Sequence, residues 1–324
     1  MTIYWAPLLH AYQPPWQDVN VLKRIYEECY DPLHSMLVRH ANAKMTFNVQ
    51  GCLVDQLNGL DLLHVGQRLT QLMQLGRVEL VGSAKYHPIL PLIPTSEILR
   101  QIDLNTKTLQ KNFDGAWHPT GFFPPEMAIS NDLVVIVEKL GYKWIIMDGI
   151  AHKGEWPQNY VQQVAGYGDQ GICTVFRDSY VSNLISFNNI DAKGFVNQLL
   201  SMFPDGDQND YYVITAQDAE TFGHHIKYYE TSFLGKVFSM LEDEPLIQTA
   251  FISEVVEKFP KQMYPAAHIT ASSWSTDPSD IASNVPYPLW SHPLTPVHKY
   301  QSRSLSALYR LMALLEAQLP VDLP

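Results

Sequence analysis

The chain has 324 residues, 46% of them hydrophobic and 17% charged, enough to bury the core of one large (β/α) unit or of two domains. A formal charge of -11 with no Lys/Arg run argues against a nucleic-acid or anionic-membrane partner, since phosphate binding needs a basic footprint. No stretch approaches the roughly 18 apolar residues of a membrane span, and Cys29, Cys52 and Cys173 form neither a CxxC pair nor an even set. With no basic segment ahead of the first apolar run, the expectation is a cytoplasmic protein without a disulfide framework.

Short apolar runs alternate with longer helical patterns, the signature of repeated β-α units around a parallel sheet. The expected strands are Ile3 to Leu9, Met45 to Val49, Val78 to Val81, Gly121 to Phe123, Trp144 to Met147, Ile172 to Phe176, Tyr211 to Thr215 and Thr249 to Ile252. Between the first two, residues 19 to 40 read as helix, with Asp31-Pro32 predicting a kink or a break. Leu53, Leu57, Leu60, Leu69, Leu72 and Met73 recur at helical spacing, Thr95-Ser96-Glu97 caps a run through Ile98, Ile102 and Leu109, and Asn131 to Leu140 ends at Gly141. From Asp277 to Pro296 the chain is rich in Pro, Ser and Asp and reads as an ordered loop or linker. Beyond it, Leu305, Leu308, Met312, Leu315 and Leu319 step by three and four, which predicts a terminal helix packed on the body.

Several strand ends carry groups suited to chemistry. The first runs into His10-Ala11-Tyr12-Gln13-Pro14-Pro15-Trp16, where His10 and Gln13 can bond vicinal hydroxyls; taken alone, a histidine there is more often a structural residue. Glu79 lies inside an apolar strand, a costly place for a charge unless it pairs, for example with Arg77 or Arg177, or acts. Trp117-His118-Pro119 precedes the fourth strand, and Glu126 follows two prolines that stiffen its approach; a helix cap is the competing role. Gln217-Asp218-Ala219-Glu220 closes the most apolar strand, before Thr221-Phe222-Gly223-His224-His225. In an extended chain Asp218 and Glu220 share a side, and their repulsion would raise one proton affinity, as a general acid requires; a cap or metal site is the alternative. Trp274, in Ala271-Ser272-Ser273-Trp274-Ser275, offers a ring for a sugar face. Nucleotide-loop, serine-hydrolase and zincin motifs do not occur.

Taken in order, these segments resemble the sequence regions that mark glycoside hydrolase family 57, from His10 to about His298. His10 to Pro14 resembles the first region, Gly76 to Glu79 the second, Phe122 to Glu126 the third, Asp218 to Gly223 the fourth and the Trp274 segment the fifth. The resemblance implies an α/β fold, an incomplete (β/α)7 barrel over residues 1–276, with residues 277–324 as Pro-rich loop and C-terminal helix packed on it. It implies retaining, amylase-like cleavage of α-1,4-glucosidic linkages, with a 4-α-glucanotransferase or branching enzyme sharing the same chemistry. Glu126 takes the nucleophile's place and Asp218 that of the acid/base, and His10, Glu79 and Glu220 match positions that line the first sugar subsite; Gln13, Trp117, His224 and Trp274 are added as substrate-binding candidates from their own chemistry. The implied partner is an α-glucan or maltooligosaccharide, and neither cofactor nor metal is called for. Tyr12 stands where many members carry a second histidine and Ala219 where many carry glycine, and the segment beyond His298 is short, which implies a more open cleft. Two other classes compete: a metal-dependent polysaccharide deacetylase using His10, Asp218, His224 and His225, which lacks the His-x-x-x-His ligand pattern, and a non-catalytic glucan-binding homologue.

Overall fold

The computed structural model describes residues 1–60, 64–155, 162–167, 171–204 and 206–318. Among them run strands β1 (Ile3–Ala11), β2 (Met45–Val49), β3 (Val78–Leu80), β4 (Gly121–Phe122), β5 (Trp144–Asp148), β6 (Val164–Tyr167), β7 (Cys173–Arg177), β8 (Tyr211–Asp218), β9 (Ile247–Thr249) and β10 (Lys261–Tyr264). The first sheet has the order β3-β2-β1-β8, all parallel, with β9 pairing the start of β1. The second has the order β10-β6-β7-β5-β4, parallel except between β6 and β7.

Two seams join the sheets. Gly82 N donates to the Gly121 carbonyl at 2.9 Å and Phe123 N to the Gly82 carbonyl at 2.9 Å, tying β3 to β4. Asp178 N donates to the Ile214 carbonyl at 2.8 Å, tying β7 to β8. Strands β8-β1-β2-β3-β4-β5-β7 therefore form a ring that is stitched, rather than fully laddered, at two places: an incomplete (β/α)7 barrel. Glycine is needed at the first seam, because a Cβ on Gly121 would stand 2.0 Å from the Trp144 ring.

Alternation along the strands sorts the core. Trp5 and Leu9 of β1, Met45, Phe47 and Val49 of β2, and Tyr211 and Val213 of β8 face the helices in one cluster. Ala6, Leu8, Ile146, Val175, Ile214 and Ala216 fill the barrel interior in another. One inward step beyond that apolar layer stand His10, Asn48, Asp148, Arg177 and Asp218, in register across β1, β2 and β8 and across β5 and β7. A polar floor for a site thus follows from period two, at the carboxyl ends of the strands where such barrels place chemistry.

Three expectations change. The eighth strand is Ile247–Thr249, and Ile252 already begins a helix, Ile252–Lys258, whose start is fixed by the Glu254 carboxylate accepting the Phe251 N–H at 2.8 Å. β6 and β10 were not expected; Lys261, Gln262 and Met263 are exposed and carry no strand pattern. The helix Pro296–Glu316 is present but buries none of its residues, with Leu305, Leu308 and Leu315 about half exposed. It meets the body through an Arg100–Glu316 ion pair at 2.6 Å, and a groove of 1610 Å³ separates its inner face from residues 86–97. Helical spacing says which residues share a face; it does not supply a surface to cover it.

Residues 277–296, read as loop or linker, contain one short helix, Pro278–Ala282. Residues 277–296 are pinned to the barrel, the Tyr287 hydroxyl donating to the Ile129 carbonyl at 2.6 Å and the Thr276 hydroxyl to the Pro286 carbonyl at 2.7 Å. The helix of residues 19 to 40 is broken as Asp31-Pro32 requires, into Val19–Ile25, a wide π turn Tyr26–Tyr30, and Asp31–Arg39. That turn carries Tyr30 to the end of β8.

Candidate active site

Glu126 leaves β4 through Phe123-Pro124-Pro125 and adopts a left-handed conformation, φ 57° and ψ 17°. A non-glycine residue there costs about 1–3 kcal/mol and persists only when its surroundings hold it. The holders are visible: Trp274 N donates to the Glu126 carbonyl at 3.1 Å, and Ser83 Oγ donates to the Phe123 carbonyl at 2.7 Å. The carboxylate receives the Trp274 Nε1–H on Oε2 at 2.8 Å, and Oε1 lies 2.8 Å from His87 Nε2.

His87, itself at φ 56°, is clamped between the rings of Tyr12, 4.2 Å away, and His10, 4.7 Å away. Gln50 Nε2 lies 3.2 Å from His87 Nδ1, while the other ring nitrogen faces Glu126. Burial pushes the Glu126 carboxyl up, but the bond and charge of His87, with the indole N–H, outweigh it and hold it below the ordinary value.

Asp218 closes β8 on the same rim. Its carboxyl accepts no hydrogen bond among the described residues, and burial, followed by the charge of Glu126, raises it to about 6 against the opposing pull of His87 and Arg177. The two carboxyls are thus driven apart by one shared environment: Glu126 toward the anion, Asp218 toward the acid. His10, on the neighbouring strand, stacks on Phe123 at 4.8 Å and meets Trp274 edge-on at 6.2 Å. Burial, with His87 beside it, lowers it to about 3, so it is neutral; Nδ1–H donates to Asn48 Oδ1 at 2.7 Å, which leaves Nε2 as an acceptor.

Other expected residues lie elsewhere. β8 ends at Asp218 and Ala219–Thr221 is a 3-10 turn, so Glu220 does not share a side with Asp218. It is buried, its Oε1 accepting from the Tyr30 hydroxyl and from Gln13 Nε2 at 3.1 Å, while Gln13 Oε1 accepts from Gln17 at 3.1 Å. Burial pushes Glu220 up to about 7, with Tyr30 opposing and Asp218 adding. Gln13 and Glu220 therefore form a layer behind Asp218, facing each other.

Glu79 is in register with Thr46 and Leu8, one layer below His10. Its carboxylate accepts from Thr46 Oγ1 at 2.8 Å and Ser253 N at 3.3 Å and pairs with neither Arg77 nor Arg177. Trp117 is 5% exposed in the layer between sheet and helices, where no sugar can reach it. His224 Nδ1 lies 2.7 Å from Glu28 Oε2 on the π turn. The placements of Glu79 and Trp117 thus correct the substrate-facing expectation for those two residues.

Residues that sequence reasoning left out of the site are His87, Tyr12, Asn48, Gln50, Asp148 and Tyr30. Thr46, Asn48 and Gln50 alternate as polar residues along an otherwise apolar strand, a signal of an inward polar face. Among the described residues no cluster of three or more His, Cys, Asp or Glu could hold a metal ion, and no helix is long and apolar enough to cross a membrane.

The model of glycosyl hydrolase family 57 matches residues 7–270. An alpha-amylase of Pyrococcus horikoshii is 26% identical over 282 residues, covering 82% of this chain and 43% of that protein. Among solved structures, the 4-alpha-glucanotransferase of Thermococcus litoralis superposes with a TM-score of 0.73 at 21% identity, over 84% of this chain and 42% of that one. A family 57-type branching enzyme of Pyrococcus horikoshii gives 0.69 at 16% identity, over 84% and 73%. The chain spans about two-fifths of the length of the curated amylases it matches. With four-fifths of its length under the family model and the barrel of its solved relatives, the chain belongs to glycosyl hydrolase family 57.

Proposed function

We propose that the protein acts on α-1,4-glucosidic bonds of an α-glucan or maltooligosaccharide by a retaining double displacement, with Glu126 as nucleophile and Asp218 as acid/base. What supports this is the placement of two carboxyls at strand ends on one barrel rim, Glu126 held by His87 and the Trp274 indole and Asp218 partly buried with no such partner among the described residues, an arrangement that lowers the first and raises the second. In the first step a Glu126 oxygen bonds the anomeric carbon as the C–O bond to the leaving sugar breaks, and the departing glycosidic oxygen takes the Asp218 proton. In the second, Asp218 removes a proton from water or an acceptor hydroxyl, whose oxygen displaces Glu126. Such a pair works with its carboxyls about 5–5.5 Å apart.

Around the pair, His87 and the Trp274 indole fix the nucleophile, and neutral His10 presents Nε2 as an acceptor for a sugar hydroxyl. Water as acceptor gives an amylase, a sugar gives a glucanotransferase or branching enzyme; we favour the amylase, in keeping with the curated alpha-amylases the chain matches. The free thiols of Cys29, Cys52 and Cys173 suit a reducing compartment, the cytoplasm. Maltooligosaccharides incubated with the purified protein and resolved by chromatography test the reading: shorter products mean hydrolysis, lengthened ones transfer, and unchanged substrate rejects it. NMR of the fresh products must show the α-anomer, because an inverted product rules out a covalent intermediate.

A further inference from the structure

Arg177 ends β7 with 6% of its side chain exposed, and three directions of its guanidinium are fixed. Nη1 donates to Asp148 Oδ2 at 3.1 Å, Nη2 to Asn183 Oδ1 at 2.8 Å, and Nε to the Ala216 carbonyl at 3.0 Å. The face of the plane remains, and the guanidinium carbon stands 5.8 Å from the centre of the Trp274 ring. Trp274 is the residue whose Nε1–H lies on Glu126, and Ala216 is two residues before Asp218 on β8. One planar cation thus touches the holder of one carboxyl and the strand that carries the other.

We propose that Arg177 is a positioning residue of the two-carboxylate site, backing the indole that fixes Glu126 and anchoring the end of the strand that presents Asp218. The inference rests on the roles given to Glu126 and Asp218 above. A buried Asp–Arg pair is by itself weak evidence even for stability, since apolar replacements of such pairs are often neutral. What ties this one to the reaction is the face left for Trp274 and the bond to the Ala216 carbonyl, which use the planar fork that lysine lacks. The charged and titratable groups acting on Asp218 are Glu126, His87, Arg177 and Glu220; those acting on Glu126 are His87, His10 and Asp218, with Tyr12 beside it.

The test uses Arg177→Lys, which keeps the charge, and the double variant Asp148→Asn with Arg177→Met, which removes the buried pair together and stands in if the lysine variant fails to fold. The expected result is a fall in kcat of roughly 30- to 100-fold in both, with KM within about threefold, the size of effect that misplacing a reacting group produces. The alkaline limb of the rate profile stays in place for Arg177→Lys and moves to higher pH in the double variant, because loss of a cation lets Asp218 keep its proton longer. A separate readout does not need turnover: Trp274 emission, isolated by subtracting a matching Trp274→Phe version of each protein, is titrated through the acid range. In the wild type it follows ionisation of Glu126; in Arg177→Lys the titration flattens. Should wild type turn over no α-glucan, the functional reading fails while this titration still decides the role of Arg177. A Trp274 curve unchanged in both variants, with any measurable kcat within about threefold of wild type, would reduce Arg177 to a structural residue and overturn the proposal.

Discussion

Replacing His87 by Phe keeps a ring in the stack between Tyr12 and His10 and removes one contact to the nucleophile, the 2.8 Å bond from Nε2 to Glu126 Oε1. A hydrogen bond to a charged group contributes about 1.5–3 kcal/mol, equivalent to roughly 1–2 pH units at about 1.36 kcal/mol per unit. Because 23% of the Glu126 side chain stays accessible, water recovers part of that, and we take about one unit. His87 lowers Glu126 and also lowers Asp218, so its loss raises both. The acid limb, which reports ionisation of Glu126, and the alkaline limb, which reports loss of the Asp218 proton, should both move to higher pH. The profile of kcat/KM slides to higher pH and narrows by the difference, Asp218 moving less because it feels His87 through charge alone. Trp274→Phe is the control: it removes a donor to Glu126 only, so the acid limb rises, the alkaline limb stays, and the profile narrows. Initial rates on a maltooligosaccharide across pH measure both. An acid limb that stays put in His87→Phe, or that falls, would show that His87 does not govern the nucleophile and would refute the reasoning.

Three further outcomes are expected. Glu126→Gln should lower kcat by more than about a thousandfold, while maltooligosaccharide affinity by calorimetry changes little; turnover surviving within about tenfold removes the nucleophile assignment. Asp218→Asn should stabilise the protein near neutral pH: a carboxyl at about 6 in the fold and 3.8 in an ordinary aspartate binds more protons folded than unfolded between those limits, so stability falls as pH rises through that window. The variant removes a burden of up to about 3 kcal/mol, which thermal melts would read as a few degrees gained at pH 7 and none below about pH 4; equal melting at both pH values contradicts the burial of that charge. Truncation after Thr295 removes a helix that buries no residue among those described, so the melting temperature of the barrel should change by no more than about 2 °C; a larger fall would show a packing role for it.

The sequence by itself determined the alternation of strands and helices, the residues that end each strand and, through period two, which of those point inward. His10, Asp218 and the rigid approach to Glu126 were legible for that reason, because a residue's side of a strand is a local property of the backbone. Only the tertiary structure decided which of these groups meet. The Trp274 indole reaches Glu126 across 148 residues, and Tyr30 reaches Glu220 across 190, by way of a π turn that no periodicity announces. Glu79 read as a site residue until strand register set it one layer too deep, and the last helix read as packed until no surface met its apolar face. Spacing along a chain fixes direction within one element; depth in a barrel and contact between elements depend on how separate elements are assembled, which no local pattern encodes.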